Sequence, residues 1–103
     1  MIIYLQMIES DEDKSKFEQL YTIYKGLMFH VAINILKNES DAEDAVHQAF
    51  LSLIENLGKI SDVKCPKTRA YIVVITERKA IDIIRSRSNM VDMEFEESTF
   101  GIE

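Results

Sequence analysis

The strongest constraint on the fold is an apolar pattern of helical period that runs without a proline from about Asp11 to Leu36. Three- and four-residue spacing places such residues on one face of an α-helix. Ser10 precedes the pattern as a candidate N-cap, and acidic residues follow it where the helix dipole favours them. Asn38, just beyond the pattern, can take the left-handed conformation that ends a helix. The residues that share the predicted face are Phe17, Leu20, Tyr21, Tyr24, Leu27, Met28, Val31, Ala32 and Ile35.

A second helix is predicted to begin at Ser40. Ser40 and Glu43 fit a capping box, in which each side chain accepts a backbone N–H of the other residue. Asp41 adds negative charge at the positive end of the helix dipole. Gly58 is a natural residue to end this helix. The face predicted to point inward contains Ala42, Ala45, Val46, Ala49, Phe50, Leu53, Ile54 and Leu57.

A third helix is predicted from about Thr68 to Arg87, after a loop over residues 59–67. The apolar run Tyr71–Ile75 could form a strand by itself. The length of the segment and the three- and four-residue pattern that continues beyond the run favour a helix. Its predicted inner face contains Ile72, Ile75, Ala80 and either Ile83 or Ile84.

The composition supports an all-α fold. The chain has 103 residues but only three glycines and one proline, too few for a turn-rich β fold. We therefore predict a compact bundle of three main helices over residues 9–87, which is long enough for one modest core. Residues 88–103 are acidic and lack a clear period, which indicates a mobile tail or the start of an interdomain linker. Residues 1–8 fit either a short extra helix or a docked arm.

Nothing in the sequence predicts an enzyme, a metal site or a cofactor. His30 and His47 lie on different predicted helices, and neither has a partner at metal-ligand spacing. Cys65 is the single cysteine, which excludes an internal disulfide and suits a reducing compartment. The N-terminus lacks the features of a signal peptide, and no apolar run is long enough to span a bilayer. These features predict a cytoplasmic, non-enzymatic protein without membrane contact.

Charge is distributed unevenly along the chain. Residues 64–87 contain seven basic and two acidic side chains, although the whole chain has a net charge of −6. A basic block suggests contact with a polyanion, and a solvated helix face is the alternative. Cationic side chains beside an aromatic ring such as Tyr71 suit single-stranded nucleic acid, although Tyr71 could equally belong to the core.

Two ion pairs within the third helix would compete with such a contact. Asp82 lies four residues after Arg78 and three residues before Arg85. Side chains at these spacings are neighbours on a helix surface. The basic residues are therefore predicted either to pair with Asp82 or to face a polyanion.

The outward face of the second helix is the other candidate surface. Asp44, Gln48, Leu51 and Glu55 recur at helical spacing, and His47 lies beside them. An acidic and polar stripe with one Leu can pack against a basic partner helix. The alternative is that a single exposed Leu is ordinary.

Three segments in this order resemble region 2 of bacterial sigma factors of the sigma-70 family, and most closely the extracytoplasmic-function group. The first helix opens with FEQLYTIY at residues 17–24. The second contains DAEDAVHQAF at residues 41–50, and the third TRAYIVVITERKAIDIIR at residues 68–85. The order and spacing of the three motifs carry the resemblance.

The resemblance implies a helical domain that binds core RNA polymerase through the clamp helices of the β′ subunit and recognises and helps melt the promoter −10 element. It also implies an anti-sigma factor as a possible further partner. A flipped base of the non-template strand would be captured in the loop Ile60–Thr68. The polymerase contacts carried over by position are Asp44, His47, Gln48, Leu51 and Glu55. The DNA contacts are Lys64, Lys67, Arg69, Tyr71, Arg78, Lys79, Arg85 and Arg87.

The sequence departs from the family pattern at several positions. His47-Gln48 replaces the usual Gln-Glu, and Glu77 replaces a small or basic residue. The helix-turn-helix domain that reads the −35 element does not follow, so we expect a region 2 fragment, with a natural single-domain variant as the other option. The alternative function is a sigma-like protein-interaction or regulatory domain without promoter activity, which Glu77 and the net negative charge favour.

Overall fold

The computed structural model describes the backbone of residues 1–99 and the side chains of residues 1–87. Four helices follow one another within that range, and it contains no strand. They are α1 (Ile2–Gln6), α2 (Asp11–Leu36), α3 (Glu39–Glu55) and α4 (Pro66–Thr99), with a 3₁₀ turn at Leu57–Lys59. The all-α prediction with three main helices is confirmed. The N-terminal segment is a short helix that also docks, because Ile8 just after it is buried.

The predicted bounds of α2 are confirmed, but the turn after it uses different residues from those expected. Ser10 caps the helix, since its Oγ accepts the N–H of Asp13 at 3.0 Å. Lys37, with φ of 57°, takes the left-handed conformation instead of Asn38. Asn38 is extended because it serves as the N-cap of α3.

The predicted capping box of α3 is wrong. The helix begins at Glu39, so Ser40 already lies within its first turn. The cap is made by Asn38, whose side-chain Oδ1 accepts the N–H of Asp41 at 3.0 Å. Only two residues join α2 to α3, and the second of them must both end the reversal of the chain and cap the new helix.

Gly58 does not end α3 as predicted. The C-cap is Asn56, whose Nδ2 donates to the carbonyl of Ser52 at 2.7 Å. Gly58 lies inside the 3₁₀ turn, and its φ is not positive. Leu57 begins that turn and is buried, so burial of this side chain, not glycine's conformational freedom, shapes the end of the helix.

The third main helix begins earlier and ends later than predicted. Pro66 is its first residue, a position where the missing N–H of proline costs nothing. The helix runs to Thr99 and not to Arg87. Methionine and glutamate are frequent after Ser88 and are good helix formers. Residues 88–103 were predicted to form a mobile tail or the start of a linker. The side chains of residues 88–99 and all of residues 100–103 lie outside the described part of the chain, so this remains a prediction.

The core lies where α2, α3 and α4 meet. Of the predicted inner face of α4, Ile72, Ile75 and Ala80 are buried; of the two isoleucines left open, Ile83 packs against the core and Ile84 is 38% exposed. Thr76 is fully buried instead, and its hydroxyl donates to the carbonyl of Ile72 at 2.9 Å, which satisfies it inside the helix. The largest side chains that are fully buried are Phe17, Phe50, Leu20, Met28, Leu53, Ile72 and Thr76.

An aromatic cluster closes one end of this core. Tyr4 of α1, Phe17 and Tyr21 of α2, and Phe50 of α3 have ring centroids that are 5.0 to 6.4 Å apart. Offset and tilted rings at these distances attract each other beyond the burial of their area. The cluster therefore fixes α1 against α2 and α3. No helix within residues 1–99 is long and apolar enough to cross a membrane.

Candidate functional site

The outward stripe of α3 is formed as the sequence predicts, with one change. Asp44, His47, Gln48 and Glu55 are exposed, but Leu51 is half-buried. Leu51 is therefore partly covered by neighbouring residues and is not an isolated apolar side chain in water. The stripe is polar along most of its length, with a partly accessible Leu at its centre.

Tyr4 contacts this stripe, which sequence reasoning did not predict. Its hydroxyl forms a hydrogen bond of 2.6 Å with Nδ1 of His47, and the two rings lie 5.4 Å apart. Burial, followed by the nearby Tyr21, raises the pKa of Tyr4 above its usual value. The phenol therefore stays protonated near neutral pH and orients the imidazole on α3.

The cations of α4 form the second surface. Lys67, Arg69, Arg78 and Arg85 are exposed, and Lys79 is half-buried. The ion pairs predicted between Asp82 and its two arginine neighbours are not formed, since the one ion pair within residues 1–87 joins Arg87 to Asp41. Arg78 and Arg85 thus point their charge to solvent.

Arg87 and Asp41 form an ion pair between two helices, which residue spacing within either helix could not predict. The side chain of Asp41 is 8% exposed, and the guanidinium of Arg87 reaches both of its carboxylate oxygens. Asp41 was predicted to act on the dipole of α3, and Arg87 was predicted to contact DNA. The ion pair joins the first turn of α3 to α4, and it competes with any phosphate for Arg87.

A groove between α3 and α4 connects the two surfaces. Its cavity measures about 560 Å³ and carries both signs of charge. The lining residues are Asp41, Asp44, His47, Gln48, Lys79, Asp82, Ile83, Ser86 and Arg87. Three residues of the predicted polymerase stripe and two predicted DNA contacts therefore share one groove.

The loop before α4 encloses a smaller cavity of about 290 Å³, which is near the lower limit for sites that hold a small molecule. It lies in the loop where the resemblance to sigma factors places base capture. Tyr71 is half-buried and forms part of one wall. The lining residues are Lys59, Ile60, Ser61, Asp62, Cys65, Lys67, Thr68 and Tyr71. These groups offer an aromatic ring, a carboxylate acceptor and ammonium donors to a flat, polar ligand.

Hydrogen bonds to the backbone hold this loop in place. Thr68 Oγ1 donates to the carbonyl of Asp62 at 2.5 Å, and Asp62 Oδ1 accepts the N–H of Lys64 at 2.9 Å. The thiol of Cys65 lies 3.4 Å from the hydroxyl of Thr68, and this hydrogen bond lowers the pKa of the thiol. Tyr24 of α2 donates to the carbonyl of Val63 at 2.5 Å. Sequence reasoning assigned Tyr24 only to the core.

Among the residues whose side chains the structure describes, no group of three or more His, Cys, Asp or Glu residues is arranged to hold a metal ion. The acids at the start of α3 are used otherwise. Asp41 pairs with Arg87, and Asp44 faces solvent.

Comparison with known proteins identifies the family. Searches of curated proteins and of solved structures returned no match. The family model for sigma-70 region 2 matches residues 20–90, which include most of α2, all of α3, the loop and the basic part of α4. The chain belongs to the sigma-70 region 2 family, whose members are non-enzymatic transcription initiation factors that bind RNA polymerase and recognise promoter −10 DNA.

Proposed function

We propose that this chain docks on the β′ clamp helices of core RNA polymerase through α3, and that its loop and α4 recognise and help melt the −10 element. The observation that carries the proposal is that the two surfaces lie on adjoining helices and meet at one groove. The polar stripe of α3 and the solvent-facing arginines of α4 lie on different helices of one scaffold. The proposed domain spans residues 9–87 and is of the extracytoplasmic-function type. It acts in the cytoplasm together with the polymerase.

The polymerase contact rests on the stripe of α3. Asp44 and Glu55 supply exposed carboxylates, and Leu51 supplies accessible apolar surface between them. A partner helix with basic and apolar side chains fits such a stripe, because the carboxylates steer the approach and the Leu is covered on docking. His47 and Gln48 lie beside these residues and are the further contacts in the proposal.

The DNA contact rests on cations, all but Lys79 exposed, that precede and follow an aromatic ring along the chain. Lys64, Lys67 and Arg69 lie before Tyr71 along the chain, and Arg78, Lys79 and Arg85 lie after it. Such cations hold phosphates while bases stack on the ring, a combination that suits a single strand. We assign Arg87 a smaller share, because its guanidinium is already bound by Asp41.

Melting requires that the exposed bases gain new contacts. Extruding a base from the duplex costs a few kcal/mol, and contacts with the protein must offset that cost. The loop cavity, with Tyr71 in its wall, is where we place one flipped base of the non-template strand. Its volume is small enough that a single base would fill much of it.

Calorimetric titration of the chain with a β′ clamp-helix fragment tests the polymerase contact. We expect binding by the unmodified chain and roughly two- to fivefold weaker binding by Asp44→Ala, the range for loss of an exposed charge pair. Glu18→Ala, which removes an exposed acid from α2, is the matched control and should bind as the unmodified chain does. Absence of binding at high micromolar concentration would contradict the polymerase contact.

The alternative, a sigma-like domain that binds only proteins, is favoured by one observation. Glu77 is exposed on α4 among the cations, where it would repel a phosphate backbone. Run-off transcription with core polymerase, using this chain joined to a domain that reads the −35 element, separates the two functions. Transcripts that depend on the chain support promoter activity, and their absence despite polymerase binding supports the alternative.

A further inference from the structure

We infer that Tyr24 is a positioning residue for the loop cavity, an inference that rests on the proposed capture of a base there. Tyr24 lies on α2 and lines no part of the cavity. Its phenol donates a hydrogen bond to the backbone of the loop. The shape of the cavity would then depend on a tyrosine that no DNA group touches.

The tether itself is a buried hydrogen bond. Tyr24 is 5% exposed, and its hydroxyl donates to the carbonyl of Val63 at 2.5 Å. Burial is the main cause of the raised pKa of this phenol, so the hydroxyl keeps its proton for donation at neutral pH. A buried carbonyl without a donor is costly, and Val63 is itself 9% exposed. The bond therefore fixes the loop at this residue.

The tethered residue is next to the cavity wall. Four consecutive lining residues, 59–62, directly precede Val63 along the chain. Tyr71 on α4 also lines the cavity. A displacement of Val63 would move these four residues relative to Tyr71, because they end at the tether.

Side-chain bonds also hold the backbone that precedes Val63. Lys16 of α2 donates to the carbonyl of Leu57 at 3.2 Å, at the start of the 3₁₀ turn. Thr68 of α4 donates to the carbonyl of Asp62. Between the 3₁₀ turn and Pro66 the loop has no helical or strand hydrogen bonds of its own. Donors from α2 and α4 therefore help to set its position, and Tyr24 and Thr68 are both buried, each with 5% of its surface exposed.

The test uses short thymidine oligonucleotides that carry one central adenine, cytosine, guanine or abasic site. Binding of the full chain to each is measured by fluorescence anisotropy. For the unmodified chain we expect at least one base to bind about fivefold or more tightly than the abasic site, since stacking and cavity contacts act only on the base. Tyr24→Phe, which keeps the ring in the core, should lose most of that ratio and retain the abasic affinity.

Two further variants make the test specific. Tyr21→Phe removes a phenol of the same helix that forms no hydrogen bond with any side chain or backbone group described within residues 1–87, and it should keep the ratio of the unmodified chain. Lys16→Met removes another donor to the loop, to the carbonyl of Leu57, from outside the cavity and should lower the ratio in the same direction as Tyr24→Phe. It also offers an independent test if Tyr24→Phe alters the fold, which circular dichroism would reveal.

The outcomes separate this inference from the function on which it rests. A ratio that Tyr24→Phe leaves unchanged, or an equal loss of affinity for base-bearing and abasic strands, overturns the positioning role alone. A ratio near one in the unmodified chain overturns base capture, and the positioning role with it. Loss of the ratio in both loop variants, with Tyr21→Phe unaffected, supports the inference.

Discussion

The helical core and the loop before α4 are held together by different interactions. In the core, apolar side chains such as Phe50 and Leu53 pack against neighbours on two other helices. In the loop, side chains from α2 and α4 donate hydrogen bonds to backbone carbonyls. Packing follows a repeating pattern that a sequence displays, whereas each tether is a single contact between distant residues. The scaffold is therefore readable from the sequence, and the shape of the loop is not.

The largest expected effect is in the core. Phe50→Ala removes a fully buried ring from the aromatic cluster and should lower the free energy of unfolding by about 3–5 kcal/mol. Urea denaturation measures the change. Ile23→Ala, at a side chain that is 41% exposed, is the control and should change stability by less than about 0.5 kcal/mol. Similar losses for the two variants would contradict the assignment of the core.

Loss of the ion pair between α3 and α4 should have the second-largest effect on stability. Arg87→Ala leaves the carboxylate of Asp41 buried without its partner, which should cost about 1–3 kcal/mol of stability. Made in an Asp41→Asn background, the same change should cost much less, because no buried charge is left unpaired. Arg85→Ala, at an exposed arginine, should have little effect. Equal costs of Arg87→Ala in both backgrounds would show that the two side chains do not interact.

The hydrogen bond from Tyr24 to Val63 should contribute less to stability than the aromatic core or the ion pair. Tyr24→Phe removes one hydroxyl and should lower the free energy of unfolding by about 1 kcal/mol. Because burial raises the folded-state pKa of Tyr24, its stabilising effect is complete below the ordinary tyrosine pKa and is lost as pH rises through the raised value. The alkaline loss of stability should therefore be smaller in Tyr24→Phe. An identical alkaline slope in both proteins would contradict the burial of this phenol.

Substitution of the exposed arginines of α4 should have almost no effect on stability, the smallest of these effects, and should instead change DNA binding. Arg78→Ala and Arg85→Ala should each weaken binding to single-stranded DNA and reduce the slope of log affinity against log salt by about 0.7 for a lost phosphate contact. Lys25→Ala, on α2, removes an exposed cation elsewhere and should leave the slope unchanged. Unchanged slopes in both arginine variants would argue against the DNA surface.

The comparison also explains which predictions from the sequence held. The bounds of α2, the cap at Ser10 and the inner face of α3 follow from patterns that neighbouring residues create, and the structure confirms them. The left-handed residue before α3 and the end of α3 were predicted wrongly. Both depend on how a short connection reverses the chain, and several residues can perform that task.

The functional surfaces were predictable only in outline. The stripe of α3 and the basic face of α4 follow from charge and helical spacing. The pairing of Asp41 with Arg87 and the tether from Tyr24 to Val63 join residues that are 46 and 39 positions apart. No local signal marks such contacts, since they arise when helices pack. The resemblance to sigma factors suggested these candidate surfaces, and the structure supplied the contacts that hold their residues.

The most direct test of the account is a pair of titrations followed by two-dimensional NMR of the chain's backbone amides. We predict that a β′ clamp-helix fragment shifts amide signals of α3 between Asp44 and Glu55. A short single-stranded thymidine oligonucleotide with one central purine should instead shift signals of the loop and of α4 as far as Arg85. Separate sets of shifted signals would support two surfaces on one scaffold. A single shared set, or no shift with either partner, would contradict the account.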